Sequence, residues 1–152
     1  MNMVTDAGKT AQVKTMLYDL TKDEVLRIIP NVEDPEILYL YTYNYNWDNG
    51  FEIPQAIISS DKCTLSTALL LFYRADGASY LLEKSVNGNF SPWSKFIEKL
   101  YDGILDNEFR TGEIEFNVPL SKTQLYKIKK GLLEKETVFV EHIEGRNWDI
   151  DV

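Results

Sequence analysis

The chain has 152 residues, of which 44% are hydrophobic and 12% aromatic, and its formal net charge is −8. A domain of this length buries roughly 70% of the surface that its unfolded chain exposes. The composition therefore predicts one globular domain with a sizeable core and excludes intrinsic disorder. A negative net charge repels nucleic acid and membrane surfaces and favours cationic partners, so we expect no nucleic-acid binding and no membrane association.

The cellular setting is indicated by three features of the sequence. The only cysteine, Cys63, has no partner for an internal disulfide, which is typical of a reducing compartment. No apolar run approaches the roughly 20 residues of a membrane span, and residues 1–10 lack the apolar segment of a secretory signal. We therefore expect a cytoplasmic protein.

Two helices are predicted near the N-terminus. Apolar residues at helical spacing indicate the first helix from Thr10 to about Leu20, preceded by a frayed segment, residues 1–9. Thr21 and Glu24 have the spacing of a capping box, which satisfies two backbone amides at a helix start. The short second helix ends before Pro30.

Residues 34–36, Asp-Pro-Glu, are a strong start signal for a third helix. The residues that follow are ambiguous, because aromatic residues alternate with other residues from 39 to 47 and this is the period of a strand. The helical template also fits this segment, and we choose it because the start signal is explicit.

Residues 48–50, Asp-Asn-Gly, predict a tight turn in which Gly50 supplies a positive φ and Asp48 bonds its own backbone. A short helix opened by proline follows. The run from Leu65 to Tyr73, capped by Thr64 or Ser66, is apolar almost all round and predicts a central helix. Gly77 is typical of a residue that ends such a helix in the left-handed region.

The C-terminal half contains the most regular apolar stripe of the sequence, which predicts a helix from Ser91 to about Asn107. We also expect a turn at 87–89, and the remaining predicted helices lie at 80–83 and at 121–131. Segments 113–118 and 137–143 could pair as a two-stranded accessory, and the first could instead be an extended linker.

The predicted fold is therefore mainly α, an irregular superhelix of short helix pairs, with the small two-stranded accessory near the C-terminus left open. We expect a single helical domain at 10–145, with terminal tails at 1–9 and 146–152.

Catalytic and metal-binding patterns are weak throughout the sequence. His142 is the only histidine, and Cys63 has no convincing base beside it, so a nucleophilic pair is not indicated. One Cys and one His cannot fill a four-ligand zinc site. A calcium loop counted from Asn44 places Gln55 where a bidentate Glu is required. We expect no metal, no cofactor and no enzymatic activity.

The segment NYNWDNGFEIPQAII, followed by a Cys and by TALLLFYRADG, resembles the bacterial domain of unknown function 4274. The hallmark of that family is an NWDDGFE turn followed by a Cys and a helix that contains TAL. Here Asn49 stands where the family has a second Asp, which weakens any role for two adjacent carboxylates. The similarity extends in our reading through 120–130. The resemblance implies a fold and a bacterial origin, but no catalytic residues.

Two hypotheses about function follow from these observations. The first is a binding protein, most concretely a bacterial immunity protein that neutralises a basic toxin through acids near loop ends. The predicted partner-binding residues are Asp48, Glu52, Asp61 and Asp76, with Trp148 in the C-terminal segment as a further position. The alternative is a small hydrolase or ligand-binding domain that uses Asp48, Glu52 and Asp76 around a tyrosine-rich pocket. The lysines of 122–130 are expected to form a solvated helix face.

Overall fold

The computed structural model describes residues 6–83 and 91–152, so the turn expected at 87–89 lies outside the described residues. The described residues form eight α-helices: α1 Asp6–Lys14, α2 Lys22–Ile28, α3 Pro35–Tyr43, α4 Glu52–Ile58, α5 Leu65–Arg74, α6 Gly77–Glu83, α7 Pro92–Leu105 and α8 Lys122–Lys130. A π-helical turn at Thr15–Asp19 extends α1, and 3-10 turns lie at Ile29–Asn31, Trp47–Asn49 and Glu134–Val140. Within these two ranges there is no β-sheet, and the predicted mainly α class is confirmed.

The helix starts follow the capping chemistry that the sequence indicated. Thr21 and Ser121 form complete capping boxes with Glu24 and Gln124. A side-chain oxygen of the N-cap residue accepts a backbone N–H of the first turn at three further helices, with Asp34, Thr64 and Ser91 as N-caps. These bonds satisfy amides that have no partner inside the helix, which fixes where each helix begins.

The aromatic segment that follows Asp34 is helical as far as Tyr43. The chain then leaves the helix, and Trp47 lies in the 3-10 turn. The strand period of this segment therefore does not produce a strand. Tyr39 and Tyr41 are buried together with the apolar residues between and around them, because α3 is covered on nearly all sides.

Helix α5 lies at the centre of the domain, and every residue from Ser66 to Phe72 is buried. It runs parallel to α3, since the Arg74 guanidinium at its C-terminal end lies 4.7 Å from the ring centroid of Tyr43 at the end of α3. A helix with no polar face is expected at the centre of a bundle. The predicted central position of this helix is confirmed.

Helix α7 runs antiparallel to α5. Trp93, in the first turn of α7, donates its indole N–H to the carbonyl of Ala75 at 2.5 Å, just after α5 ends. The chain after α7 returns to the beginning of α5, where the Leu65 N–H donates to the carbonyl of Arg110 at 2.8 Å. The C-terminal end of α5 therefore lies beside the N-terminal end of α7.

The N-terminal helix is already formed at Asp6, the first described residue, and not only from Thr10 as predicted. Its Lys9 lies 2.9 Å from a carboxylate oxygen of Asp34 and also pairs with Glu36. Part of the expected tail, residues 6–9, thus belongs to the packed domain. No helix among the described residues is long and apolar enough to cross a membrane.

The two segments expected to pair as strands make only two isolated bridges, Phe116 with Ile143 and Ile114 with Arg146. The prediction of a strand at 137–143 is wrong for its first part, because residues up to Val140 form a 3-10 turn. This turn places the Phe139 ring against Phe72, with the ring centroids 4.7 Å apart. Burial of an aromatic ring here outweighs the β propensity of the segment.

The C-terminal residues 146–152, expected as a tail outside the domain, instead pack along α3. Trp148 is fully buried. The Tyr39 hydroxyl donates to the Asp149 carboxylate at 2.6 Å. The Asn44 side chain donates to the carbonyl of Ile150 at 2.8 Å and accepts from the N–H of Val152 at 3.1 Å.

Candidate functional site

The four acids predicted to bind a partner are all exposed, but they do not share one surface. Asp61 precedes α5 and Asp76 follows it. A helix of ten residues is about 15 Å long, so these two acids lie at opposite ends of α5. Asp61 lies instead beside Pro30, in a hollow of about 440 Å³.

The turn that carries Asp48 is built by its neighbours. The side chain of Asn46 accepts the Asp48 N–H at 3.0 Å, so Asn46 caps the turn and the expectation that Asp48 bonds its own backbone is wrong. Gly50 has φ 88°, as predicted. The buried Tyr45 hydroxyl donates to the Gly50 carbonyl at 2.7 Å and holds the turn. The Asp48 carboxylate makes no hydrogen bond to the described residues and faces solvent.

Glu52 begins α4 directly after this turn. Its carboxylate pairs with Lys22 at 2.8 Å, and its side chain remains 70% exposed. An exposed pair of this kind contributes little to stability and can exchange for another cation. Burial, with a smaller contribution from the nearby Glu52 carboxylate, raises the pKa of Tyr45 to about 12.

Asp76 occupies the left-handed position that the sequence assigned to Gly77, with φ 62°. Asp tolerates this region better than most residues because its short polar side chain bonds locally, and here it accepts the Ser79 hydroxyl at 2.8 Å. Gly77 is needed for a different reason. It is buried in the first turn of α6, where a Cβ would collide with the Phe72 ring.

A groove of about 590 Å³ lies between the turn at residues 48–50 and the first turn of α7. Its apolar wall consists of Phe51, Trp93 and Phe96, and we call it the aromatic groove. Two charged residues line its rim: Glu52 is negative and Lys95 is positive. The sequence indicated Trp93 and Phe96 only as part of a core stripe, because nothing in the pattern showed that residues 50–55 would face them.

One of the predicted acids lines this groove, and two others lie close in sequence to residues that form or hold its wall. Glu52 lines it. Asp48 lies two residues before Gly50, which also lines it, and Asp76 follows Ala75, whose carbonyl accepts the Trp93 indole N–H. We call Asp48, Glu52 and Asp76 the acidic end. Asp61 lies outside it.

Trp148, the fifth predicted residue, cannot contact a partner in this fold because its exposure is 0%. Its indole N–H donates to Glu36, and the Lys9 ammonium and Arg146 guanidinium lie 5.3 Å and 4.6 Å from the centroid of its ring. Burial lowers the pKa of Lys9, but hydrogen bonds to Glu36 and Asp34 outweigh this and raise it. These charges are paired internally and stabilise the fold.

The tyrosines that the alternative hypothesis places around a pocket are packed in the core instead. Tyr39, Tyr41 and Tyr45 are core residues, and burial raises the pKa of each hydroxyl. Cys63 is also buried, and burial raises the pKa of its thiol. Among the described residues, no group of three or more His, Cys, Asp or Glu side chains is arranged to hold a metal ion.

The comparisons with known proteins give a family for the central part of the chain. A family model described as "Domain of unknown function (DUF4274)" matches residues 33–105, which include the acidic end and the aromatic groove but not residues 120–130 or Trp148. No curated protein and no solved structure matches the chain. Over helices α3 to α7, the chain is similar to the family DUF4274, the family that its sequence resembles.

Proposed function

We propose that this protein is a non-enzymatic binding protein that recognises a basic protein partner through its acidic end. The observation that carries the proposal is an apolar groove of about 590 Å³ that Glu52 lines, with the exposed Asp48 two residues before the lining Gly50 and the exposed Asp76 directly after Ala75, whose carbonyl holds the Trp93 indole. Specific interfaces combine a buried aromatic centre with a charged rim. The aromatic groove provides the centre, and the three carboxylates provide the rim.

The charge of the molecule supports a cationic partner. The whole chain carries −8, so its field attracts a basic protein before contact. Asp48 and Asp76 make no ion pair with the described residues, and Glu52 pairs only with the exposed Lys22. A Lys or Arg of a partner could therefore pair with these carboxylates without the loss of buried ion pairs inside this protein.

More specifically, we infer an immunity protein that acts in the cytoplasm by covering the cationic active face of a cognate toxin. Support comes from the small size, the acidic balance and the exposed carboxylates of the acidic end. An inhibitor of this kind needs a stable scaffold and a complementary face, and it needs no catalytic residues of its own. The buried helical core of the described residues is suited to serve as that scaffold.

The test uses the protein encoded beside this chain's gene, purified and immobilised, with binding followed kinetically at about 0.05 M and 0.5 M salt. Asp48→Asn and Asp76→Asn should each slow association at low salt by roughly 2- to 5-fold, since rim charges act mainly on the association rate. Asp61→Asn is the matched control. It removes the same charge at the opposite end of α5 and should have a much smaller effect.

Equal effects of the three substitutions would overturn the assignment of the acidic end, because they would reflect net charge alone. Failure of any basic neighbouring product to bind would overturn the immunity function. The alternative, a small hydrolase or ligand-binding domain, would instead appear as a metal or metabolite retained by the purified protein in native mass spectrometry.

A further inference from the structure

A second exposed surface lies on α8 and has the opposite charge. Lys122, Lys129 and Lys130 lie three or four residues from Tyr126 and share its face of α8, and Leu133 follows the helix. We call these five residues the basic stripe. Tyr126 is 62% exposed and Leu133 is 50% exposed. Ile128, on the opposite face of the helix, is buried. Two large apolar side chains are therefore exposed to solvent here, Tyr126 among the lysines of α8 and Leu133 just after the helix.

The lysines of this surface are not neutralised by their neighbours. Residues 122–133 contain no acid, and neither Lys127 nor any lysine of the basic stripe makes an ion pair with the described residues. The Lys130 ammonium lies 4.6 Å from the centroid of the Tyr126 ring, so the ring is flanked by positive charge. An exposed ring surrounded by charge of one sign can form the centre of an interaction surface when a partner of opposite charge covers it.

We propose that the partner of the basic stripe is the acidic end of a second copy of this chain. Tyr126 would enter the aromatic groove, and the lysines beside it would face Asp48, Glu52 and Asp76. The inference rests on the proposed role of the acidic end as a protein-binding surface, but it does not require the external basic partner. The stripe is positive and exposes the Tyr126 ring, whereas the acidic end carries three carboxylates next to a groove with aromatic walls.

A second copy fits the stripe better than an extended polyanion does. Away from α8 the chain is strongly acidic, with a net charge of −8 in total, so a membrane surface or a nucleic acid would be repelled by most of the molecule. The acidic end is a small patch next to a groove of about 590 Å³. A tyrosine ring can bury about 150–250 Å² in such a place, and a projecting ring is what the stripe offers.

The contact is head to tail, because it joins two different surfaces of the chain. Such a contact can add further copies instead of closing as a dimer. The patches are small, so the association should be weak and visible only at high protein concentration. It also uses the acidic end, so a basic partner and a second copy should compete for the same surface.

The first measurement is analytical ultracentrifugation of the full chain over a wide range of concentrations, at about 0.02 M and 0.5 M salt. We expect the weight-average mass to rise with concentration at low salt and to return to that of the monomer at high salt. Net charge alone gives the opposite dependence, because chains of charge −8 repel each other more strongly when salt is removed. The direction in which salt changes the weight-average mass therefore distinguishes attraction between the two surfaces from repulsion between whole chains.

The second measurement uses charge-neutral variants. The double variant Lys129→Gln, Lys130→Gln should abolish the rise in mass. The matched control is Lys14→Gln, Lys99→Gln, which removes the same charge from exposed positions on α1 and α7. The control raises the net negative charge equally, so it should retain the self-association if the stripe is the contact.

The double variant Asp48→Asn, Asp76→Asn should also remain monomeric by itself. Mixed with the variant lacking Lys129 and Lys130, it should form 1:1 pairs, because each chain then supplies the surface that the other lacks. A monomer at every concentration, an unchanged rise in mass in the stripe variant, or a mixture that stays monomeric would overturn the inference.

The two proposals can fail separately. The stripe variant keeps the acidic end, so it should bind a basic partner as well as the original chain does. Partner binding without self-association would reject only the second copy as occupant. If the variants change self-association as expected but no basic partner binds, only the proposed function would be rejected.

Discussion

Trp148, four residues from the C-terminus, donates its indole N–H to the carboxylate of Glu36 in the first turn of α3. The two residues are separated by 112 positions in sequence, and the bond brings the C-terminal segment onto the helix where the matched family domain begins. Lys9 pairs with the same carboxylate from α1. Helix α1 and the C-terminal segment are therefore both held on α3 by the same partly buried acid.

This bond gives the first prediction. Trp148→Phe keeps most of the buried ring but removes the donor, so it should lower the free energy of unfolding by about 1–3 kcal/mol. Trp47→Phe is the matched control, since the indole N–H of Trp47 is buried without a partner among the described residues. Removing that N–H should cost much less or even stabilise the protein.

Urea denaturation followed by circular dichroism at 222 nm measures both variants. Equal losses for the two substitutions would mean that ring size, and not the bond to Glu36, determines the effect. A variant of Trp148 with the stability of the original chain would show that the C-terminal segment contributes little.

The helix starts were predictable from sequence because capping depends on residues three or four positions apart, as in Thr21 with Glu24. The position of Trp148 was not predictable, because its partner Glu36 is distant in sequence and no local pattern marks it. The aromatic groove has the same origin, since residues 50–55 meet Trp93 only after the helices pack. The prediction of one acidic surface also missed the separation of Asp61 from Asp76, which the ten-residue helix α5 imposes.

The second prediction concerns Gly50, whose φ of 88° is unfavourable for residues with a Cβ. A Cβ at this position would meet no atom within 4 Å, so any loss of stability in Gly50→Ala must come from backbone strain. We expect a loss of about 1–3 kcal/mol, and a larger one for the β-branched Gly50→Val.

Gly131 provides the control. A Cβ at Gly131 would also lie in open space, but the φ of this residue is −103°. Gly131→Ala should therefore change the unfolding free energy by less than about 1 kcal/mol, in either direction. If Gly50→Ala melts at the same urea concentration as Gly131→Ala, the turn does not impose its positive φ strongly.

The third prediction concerns the apolar face of α7. Phe96 is buried, with its ring centroid 5.3 Å from that of Phe51 and 6.3 Å from that of Trp47. Phe96→Ala should destabilise the fold by about 3–5 kcal/mol, because it removes a buried ring and leaves a cavity. Lys95→Ala, on the exposed side of the same turn, should change stability by no more than about 0.5 kcal/mol. Thermal melts that rank the two in the reverse order would mean that another face of α7 is packed.

The last prediction is a loss of stability in alkaline solution. Burial raises the pKa of Tyr39, Tyr41 and Tyr73 in the folded chain, and that of Tyr45 to about 12, whereas an unfolded tyrosine ionises near 10. The stabilisation is therefore complete below pH 10 and declines as the pH rises from 10 through the folded-state values. In this range each buried tyrosine that ionises only on unfolding lowers the unfolding free energy by about 1.4 kcal/mol per pH unit.

Urea midpoints between pH 8 and 11.5, combined with absorbance at 295 nm, measure this dependence. The contribution of tyrosine ionisation to the unfolding free energy should be nearly constant up to about pH 9.5. Above that pH, stability should fall steeply while absorbance rises cooperatively.

Tyr41→Phe is a suitable comparison, because the Tyr41 hydroxyl makes no hydrogen bond to the described residues and the variant removes one ionisable group from the core. Its stability should fall less steeply above pH 10 than that of the original chain. A gradual titration of all tyrosines near pH 10, with no loss of stability, would show that these rings are accessible to solvent in the folded protein.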